Sequence, residues 1–158
     1  MWAATPTSSV TTLLPSPSVY LIDTNVISEA RKAQRANPGV QAFFAQVASR
    51  NDALYIPAVS IGELRRGVEL IRHRGDVPQA QLLEVWLGDI ADEFSDRILA
   101  LDADAAQIWG RLRVPDPQHE LDNQIAAIAW LNQLTVVTRN TADFSGTGVA
   151  LLNPFRPG

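Results

Sequence analysis

Apolar positions along this chain fall into two alternating patterns. Short unbroken runs have the length and β-branched content of buried strands: VYLID (residues 19–23), ALYIP (53–57), RILALD (97–102), TVVT (135–138) and VALLN (149–153). Between them lie longer stretches with helical spacing: TNVISEARK (24–32), PGVQAFFAQVASR (38–50), SIGELRRGVELIRHR (60–74), a stretch from Pro78 to Phe94, ADAAQIWGRLR (103–113) and LDNQIAAIAWLNQL (121–134). Pro38 suits the first turn of its helix, and Pro57 closes the second strand. Strands separated by helices predict crossover connections and a parallel sheet covered on both faces. The expected class is α/β, a three-layer α/β/α domain with a central parallel sheet of about five strands.

Residues 1–18, MWAATPTSSVTTLLPSPS, break the pattern. They carry no charge, are rich in Ser, Thr and Pro, and lack the basic leader of a secretory signal. They are expected to be a flexible tail, leaving 19–158 as one domain, which 158 residues can readily build. No apolar run reaches the roughly 18 residues that span a bilayer. The chain has no cysteine, which excludes disulfides, thiolate zinc sites and a cysteine nucleophile, and a reducing cytoplasm fits. Its net charge is −4, from 17 acids and 13 bases, which taken alone argues weakly against nucleic-acid binding. Twelve of the bases are arginine and Lys32 is the one lysine. Arginine's planar fork suits phosphate, but a GC-rich genome gives the same bias.

In open parallel sheets, ligands bind at the carboxyl ends of the strands. Four acids are expected there: Asp23 directly after VYLI, Glu63 at the start of the helix after LYIP, Asp122 at the start of the apolar helix, and Asp143 just after TVVT. Each also has an ordinary structural explanation. Asp23 could cap a helix at Thr24, Ser60 and Glu63 form a capping-box pattern, Asp122 could complement a helix dipole, and Asp143 could serve a turn. Together they are harder to dismiss. The helix of Asp122 continues IAAIAW with hardly a solvent face, so its first turn points into the crevice of the fold. Carboxylates about 5 Å apart repel by roughly 3 kcal/mol at an effective dielectric near 20. Such a set persists only with a cation among its members or with some protonated. Oxygen ligands suit Mg²⁺, with Mn²⁺ as a substitute, and zinc is disfavoured because His73 and His119 are the only histidines.

The ordered segments LIDTNVIS, PAVSIGELRRG, LDNQIAAIAW, VVTRNTADF and LLNPF resemble the PIN-domain ribonucleases, and among these the VapC-type toxins of bacterial toxin–antitoxin pairs. The resemblance runs from about Val19 to Phe155. It implies an acidic, Mg²⁺-dependent site in which Asp23, Glu63, Asp122 and Asp143 hold the metal and carry catalysis. Thr138, Asn140, Thr24 and Asn25 fall beside it as supporting groups. It further implies an RNA substrate, a tRNA loop or other structured RNA, and an inhibitory antitoxin of VapB type that lays a helix in a groove. It also implies a homodimer or a hetero-oligomer with that antitoxin. The segment VPDPQHELDNQ departs from the glycine-containing, apolar approach usual before the Asp122 helix, and the tail exceeds the family's compact start.

Arg65, Arg66, Arg72 and Arg74 on one predicted helix, with Arg111, Arg113 and Arg139 elsewhere, are candidates for drawing in RNA. Phe43, Phe44, Val68 and Trp86 could line a groove for the partner, although core positions explain them equally well. Asp102 and Asp104 read as helix caps, with Asp104 in reserve for the site. Other classes fare worse. DTN lacks the D-x-D of a haloacid-dehalogenase-type phosphatase, Lys32 is misplaced for a receiver domain, and no glycine-rich nucleotide motif occurs. A non-catalytic PIN-like binding module is the alternative, against which stands the presence of all four acids.

Overall fold

The computed structural model describes residues 18–115 and 118–157. Strands β1 (Val19–Ile22), β2 (Ala53–Pro57), β3 (Ile98–Leu99), β4 (Thr135–Val137) and β5 (Leu151–Leu152) form one sheet in the order β3-β2-β1-β4-β5. Every neighbouring pair is parallel. Six helices connect them: α1 (Thr24–Ala30), α2 (Pro38–Arg50), α3 (Ala58–His73), α4 (Val77–Glu93), α5 (Ala103–Leu112) and α6 (Glu120–Asn132). The α/β class and the five parallel strands are therefore as the sequence predicts.

The strands are buried on both faces, and their side chains alternate between two cores. Tyr20, Ile22, Leu54, Ile56, Val137 and Leu152 pack with α1–α4, while Val19, Leu21, Tyr55, Val136 and Leu151 pack with α5 and α6. On the second face, Ile125, Ala126, Ala127, Ile128 and Ala129 of α6 are all buried. The three alanines among them let the helix lie close on the sheet. The expected lack of a solvent face holds for that stretch but ends at Trp130, which is 56% exposed.

Two expectations meet differently with the coordinates. The tail expected over residues 1–18 lies outside the described residues except for Ser18, which donates its N–H to Asp52 Oδ1 at 2.8 Å. Helix α3 starts at Ala58, not Ser60, so Ser60 and Glu63 sit inside it and form no capping box. Pro57, in an extended conformation with φ −72 and ψ 139, takes the cap position and makes no side-chain cap hydrogen bond.

The chain order places β1 at a turning point. From β1 the sheet grows through β2 and β3 on one side, then through β4 and β5 on the other. The crevice at the carboxyl ends of β1 and β4 is therefore the topological switch point, where such sheets bind ligands.

Candidate metal centre

Asp23 follows β1 and does two things at once. It is the N-cap of α1, with Oδ1 accepting from the Thr24 N–H at 2.7 Å. Its other oxygen, Oδ2, accepts from the Thr138 hydroxyl at 2.8 Å and from Asn25 Nδ2 at 3.4 Å. Thr138 follows β4 and is wholly buried, and its Oγ1 accepts in turn from the Asn140 N–H at 3.0 Å. Asp23 itself is 4% exposed. The structural role and the placement at the switch point are thus compatible, and the same carboxylate serves both.

Thr24 links Asp23 to the next acid. Its hydroxyl donates to Glu63 Oε1 at 2.7 Å and lies 2.8 Å from the Ser60 hydroxyl. Ser60, fully buried, therefore spends its side chain on this bridge. Asn25 ties the other side, accepting from the Arg139 N–H at 3.1 Å. Asn140 acts through its backbone, while its side chain is exposed. Of the four supporting residues read from the sequence, Thr24, Asn25 and Thr138 engage by side chain.

Asp122 lies in the first turn of α6, and Asp143 in a short 3₁₀ turn, Thr141–Phe144, after β4. Ligand atoms of His119, Asp122 and Asp143 all fall within 4.8 Å of one another. Asp23 and Asp122 both feel the neighbouring acids. Burial first, then repulsion from Asp23, Asp143 and Glu63, pushes Asp122 up to about 6. Burial also raises Asp23, against hydrogen bonds from Thr138 and Thr24 that pull it down, and Glu63 and Asp143 raise it further. Two carboxyl groups raised in this way, beside further carboxylates, favour a nearby positive charge. The donor set, oxygen-rich with one imidazole at the rim, fits a divalent cation.

The remaining candidates divide. Asp102 caps α5, with Oδ1 accepting from the Ala105 N–H at 2.8 Å, and the exposed Asp104 stays outside the His119–Asp122–Asp143 group. Arg65 and Arg72 are engaged with Glu69 and Glu84, an acid on α4 that helical spacing on α3 cannot reveal. Arg113 pairs with Glu120. These three are less available to RNA than the sequence suggests, whereas Arg66, Arg74 and Arg111 make no ion pair among the described residues. Phe43 and Val68 are core, but Phe44 and Trp86 line an apolar cavity of about 200 Å³ with Ile27, Ile90 and Phe94. A second hollow of about 220 Å³ shares Arg31 and Trp86 with it and reaches Thr24 and Glu63. Together they make a groove leading to the acids.

Sequence reasoning missed His119 and Ser60. The first sits in an irregular approach with no periodicity, and the second was absorbed by the capping pattern.

A parallel sheet with paired carboxylates at its switch point is the arrangement of a PIN domain. The chain belongs to that family, matching the PIN domain over residues 20–149. Among curated proteins it is similar to Toxin FitB of Neisseria gonorrhoeae, 34% identical over 144 residues that cover 87% of this chain and 99% of the toxin. It is also similar to VapC ribonuclease Y4jK of Sinorhizobium fredii, 29% identical over 88% of this chain and 99% of that protein. Among solved structures, FitAB bound to a DNA fragment superposes with a TM-score of 0.75 at 30% identity, covering 88% of this chain and 97% of the other. VapBC2 from Rickettsia felis, at 23% identity and a TM-score of 0.63, shares the fold, covering 85% of this chain and 98% of the other.

Proposed function

We propose that this chain is a divalent-metal-dependent endoribonuclease and the toxin of a toxin–antitoxin pair. The observation that carries the reading is the closeness of Asp23, Glu63, Asp122 and Asp143: Thr24 links Asp23 to Glu63, ligand atoms of Asp122 and Asp143 lie within 4.8 Å of one another, and Asp122 feels the charge of the other three. Similarity to Toxin FitB and to a VapC ribonuclease supports both halves of it.

Asp23, Asp122 and Asp143 would hold the ion, Mg²⁺ or Mn²⁺, with Glu63 joining through the Thr24 bridge. The ion, when bound, lowers the pKa of a water and offsets charge building on the phosphodiester. The chain's own groups do the rest. Thr138 and Asn25 orient Asp23, so its oxygens are fixed before substrate arrives. A carboxylate not used as a ligand accepts the proton from the attacking water. Nothing in the site calls for a covalent route: the described residues place no serine–histidine pair at the acids.

RNA is the proposed substrate, a structured one such as a tRNA loop, where bases are open to contact. One Mg²⁺ would take the nominal charge from −4 to −2, and the exposed Arg66, Arg74, Arg111 and Arg139 would add local attraction. The groove past Trp86 and Phe44 would receive a helix of the antitoxin, as the FitAB and VapBC complexes among the relatives suggest. A homodimer and a cytoplasmic location belong to the same proposal. The described residues hold no helix long and apolar enough to cross a membrane. A purely binding module has no use for four mutually repelling acids, and the intact set favours catalysis.

The test is cleavage of total RNA by purified protein with Mg²⁺, with and without chelator, alongside Asp23→Asn. Cleavage lost with chelator and in the variant is expected. Cleavage that survives both would overturn the reading.

A further inference from the structure

His119 stands at the rim of the acids in a way that chance packing does not explain. Its Nδ1 lies 4.0 Å from Asp143 Oδ1, and a ring nitrogen is within 4.8 Å of carboxylate oxygens of Asp122 and Asp143. Its backbone has φ 52, the left-handed region, which is uncommon for a residue with a Cβ. The surroundings here are specific. On one side Asn123, buried, donates its Nδ2 to Gln118 O at 2.7 Å and its N–H to His119 O at 2.8 Å. On the other, Arg113 pairs with Glu120 and lies 4.5 Å over the Trp109 ring, whose Nε1 donates to Glu120 O at 3.3 Å. His119 occupies the N-cap position of α6 but gives its helix no side-chain hydrogen bond. The turn thus brings the imidazole beside Asp122 and Asp143, where it makes no helix-capping hydrogen bond.

Building on the proposed function, we propose that His119 is a nitrogen ligand of the ion held by Asp122 and Asp143, and that it sets the metal preference of the site. Carboxylate oxygens alone suit Mg²⁺, whereas imidazole binds transition metals far better than it binds Mg²⁺. With His119 in place, Mn²⁺ is favoured over Mg²⁺; without it, the site reverts to an oxygen set with little discrimination.

The experiment uses the full chain and two metals, Mn²⁺ and Mg²⁺, titrated calorimetrically against the wild type, His119→Asn and Asp122→Asn. Asparagine tolerates the left-handed turn and keeps an oxygen donor, so His119→Asn removes the nitrogen without unfolding the approach. Its Mn²⁺ affinity falls by about tenfold while Mg²⁺ affinity stays within about twofold. Pulsed electron spin resonance of Mn²⁺ on protein labelled with ¹⁵N-histidine shows nitrogen coupling in the wild type and in His73→Asn, and none in His119→Asn. Absence of that coupling in the wild type, or an equal fall for both metals, overturns the proposal for His119. Should Asp122→Asn abolish binding while His119→Asn changes neither affinity, only the histidine ligand is lost and the acidic centre stands. Failure of the wild type to bind either metal removes both.

Discussion

Asp122 meets two opposed demands, one from the fold and one from the ion. Folding places its carboxylate half-buried among three others, and its pKa rises from 3.8 to about 6. Taken at face value that displacement is about 3 kcal/mol at neutral pH, from burial first and repulsion second, and solvent screening of a half-exposed group reduces it to about 1–2 kcal/mol. Asp122→Asn should therefore raise the melting temperature of the metal-free protein by about 2–6 °C at pH 7.5. The same variant should lose Mn²⁺ binding and RNA cleavage. Calorimetry and a thermal melt on one preparation check both, and a melt unchanged or lowered would mean the acids do not crowd as described. Thr138 makes the opposite case. Its hydroxyl is buried and donates to Asp23 Oδ2, so Thr138→Val keeps the shape and removes the donor. Metal affinity should drop by about tenfold, as when a partner that orients a ligand is lost. Unfolding should become easier by about 1–3 kcal/mol, because the carboxylate is left short of a partner. Denaturant titration and Mn²⁺ titration separate the two effects.

At the scale of elements, strands were legible because burial on both faces demands continuous apolar runs, and each predicted run contains one strand. Helix starts were less legible. The S-x-x-E pattern at Ser60 and Glu63 has the spacing of a capping box, but the cap is set by Pro57, which the preceding strand holds extended. Asp23, Glu63 and Asp143 could be placed because each lies within a few residues of a strand's carboxyl end, and Asp122 because it opens an apolar helix. The arginines could not, since Arg65 and Arg72 find Glu84 on α4, a contact between helices that leaves no trace in either helix's spacing. His119 escaped for a related reason: a left-handed turn braced by Asn123, Arg113 and Trp109 depends on contacts across two helices. Gly39 shows how tightly elements meet. A Cβ there would lie 2.0 Å from Pro154 O, because the C-terminal segment crosses the start of α2, pinned by Asn37 to the backbone of Arg156. Gly39→Ala should destabilise the fold by about 1–3 kcal/mol, read as a lower urea midpoint with an unchanged slope. A neutral result would show that the C-terminal segment moves aside without cost.

For the molecule as a whole, the sheet order makes one crevice the meeting place of segments far apart in sequence. Asp23 and Asp143 come from neighbouring strands and Asp122 from the helix that joins β3's side of the fold to β4. The fold therefore stores repulsion in its own binding site, and pH controls how much. Asp23 and Asp122 both have folded-state pKa values raised above their unfolded ones. Protonation thus favours the folded state: the benefit is complete below about pH 4, the ordinary carboxylate value, and is lost as pH climbs through about 6 for Asp122. A divalent ion at the proposed site would work against this loss, since it would bind the ionised form of the folded chain and stabilise it by mass action. The gain in melting temperature on adding Mn²⁺ should consequently be small at pH 5 and larger at pH 7.5. In Asp122→Asn it should be near zero at both. Scanning fluorimetry across that range, at fixed ionic strength and fixed metal, measures the difference directly. A gain independent of pH would mean that the ion sits away from these carboxylates, and the crevice would then have to owe its charge to something other than metal binding.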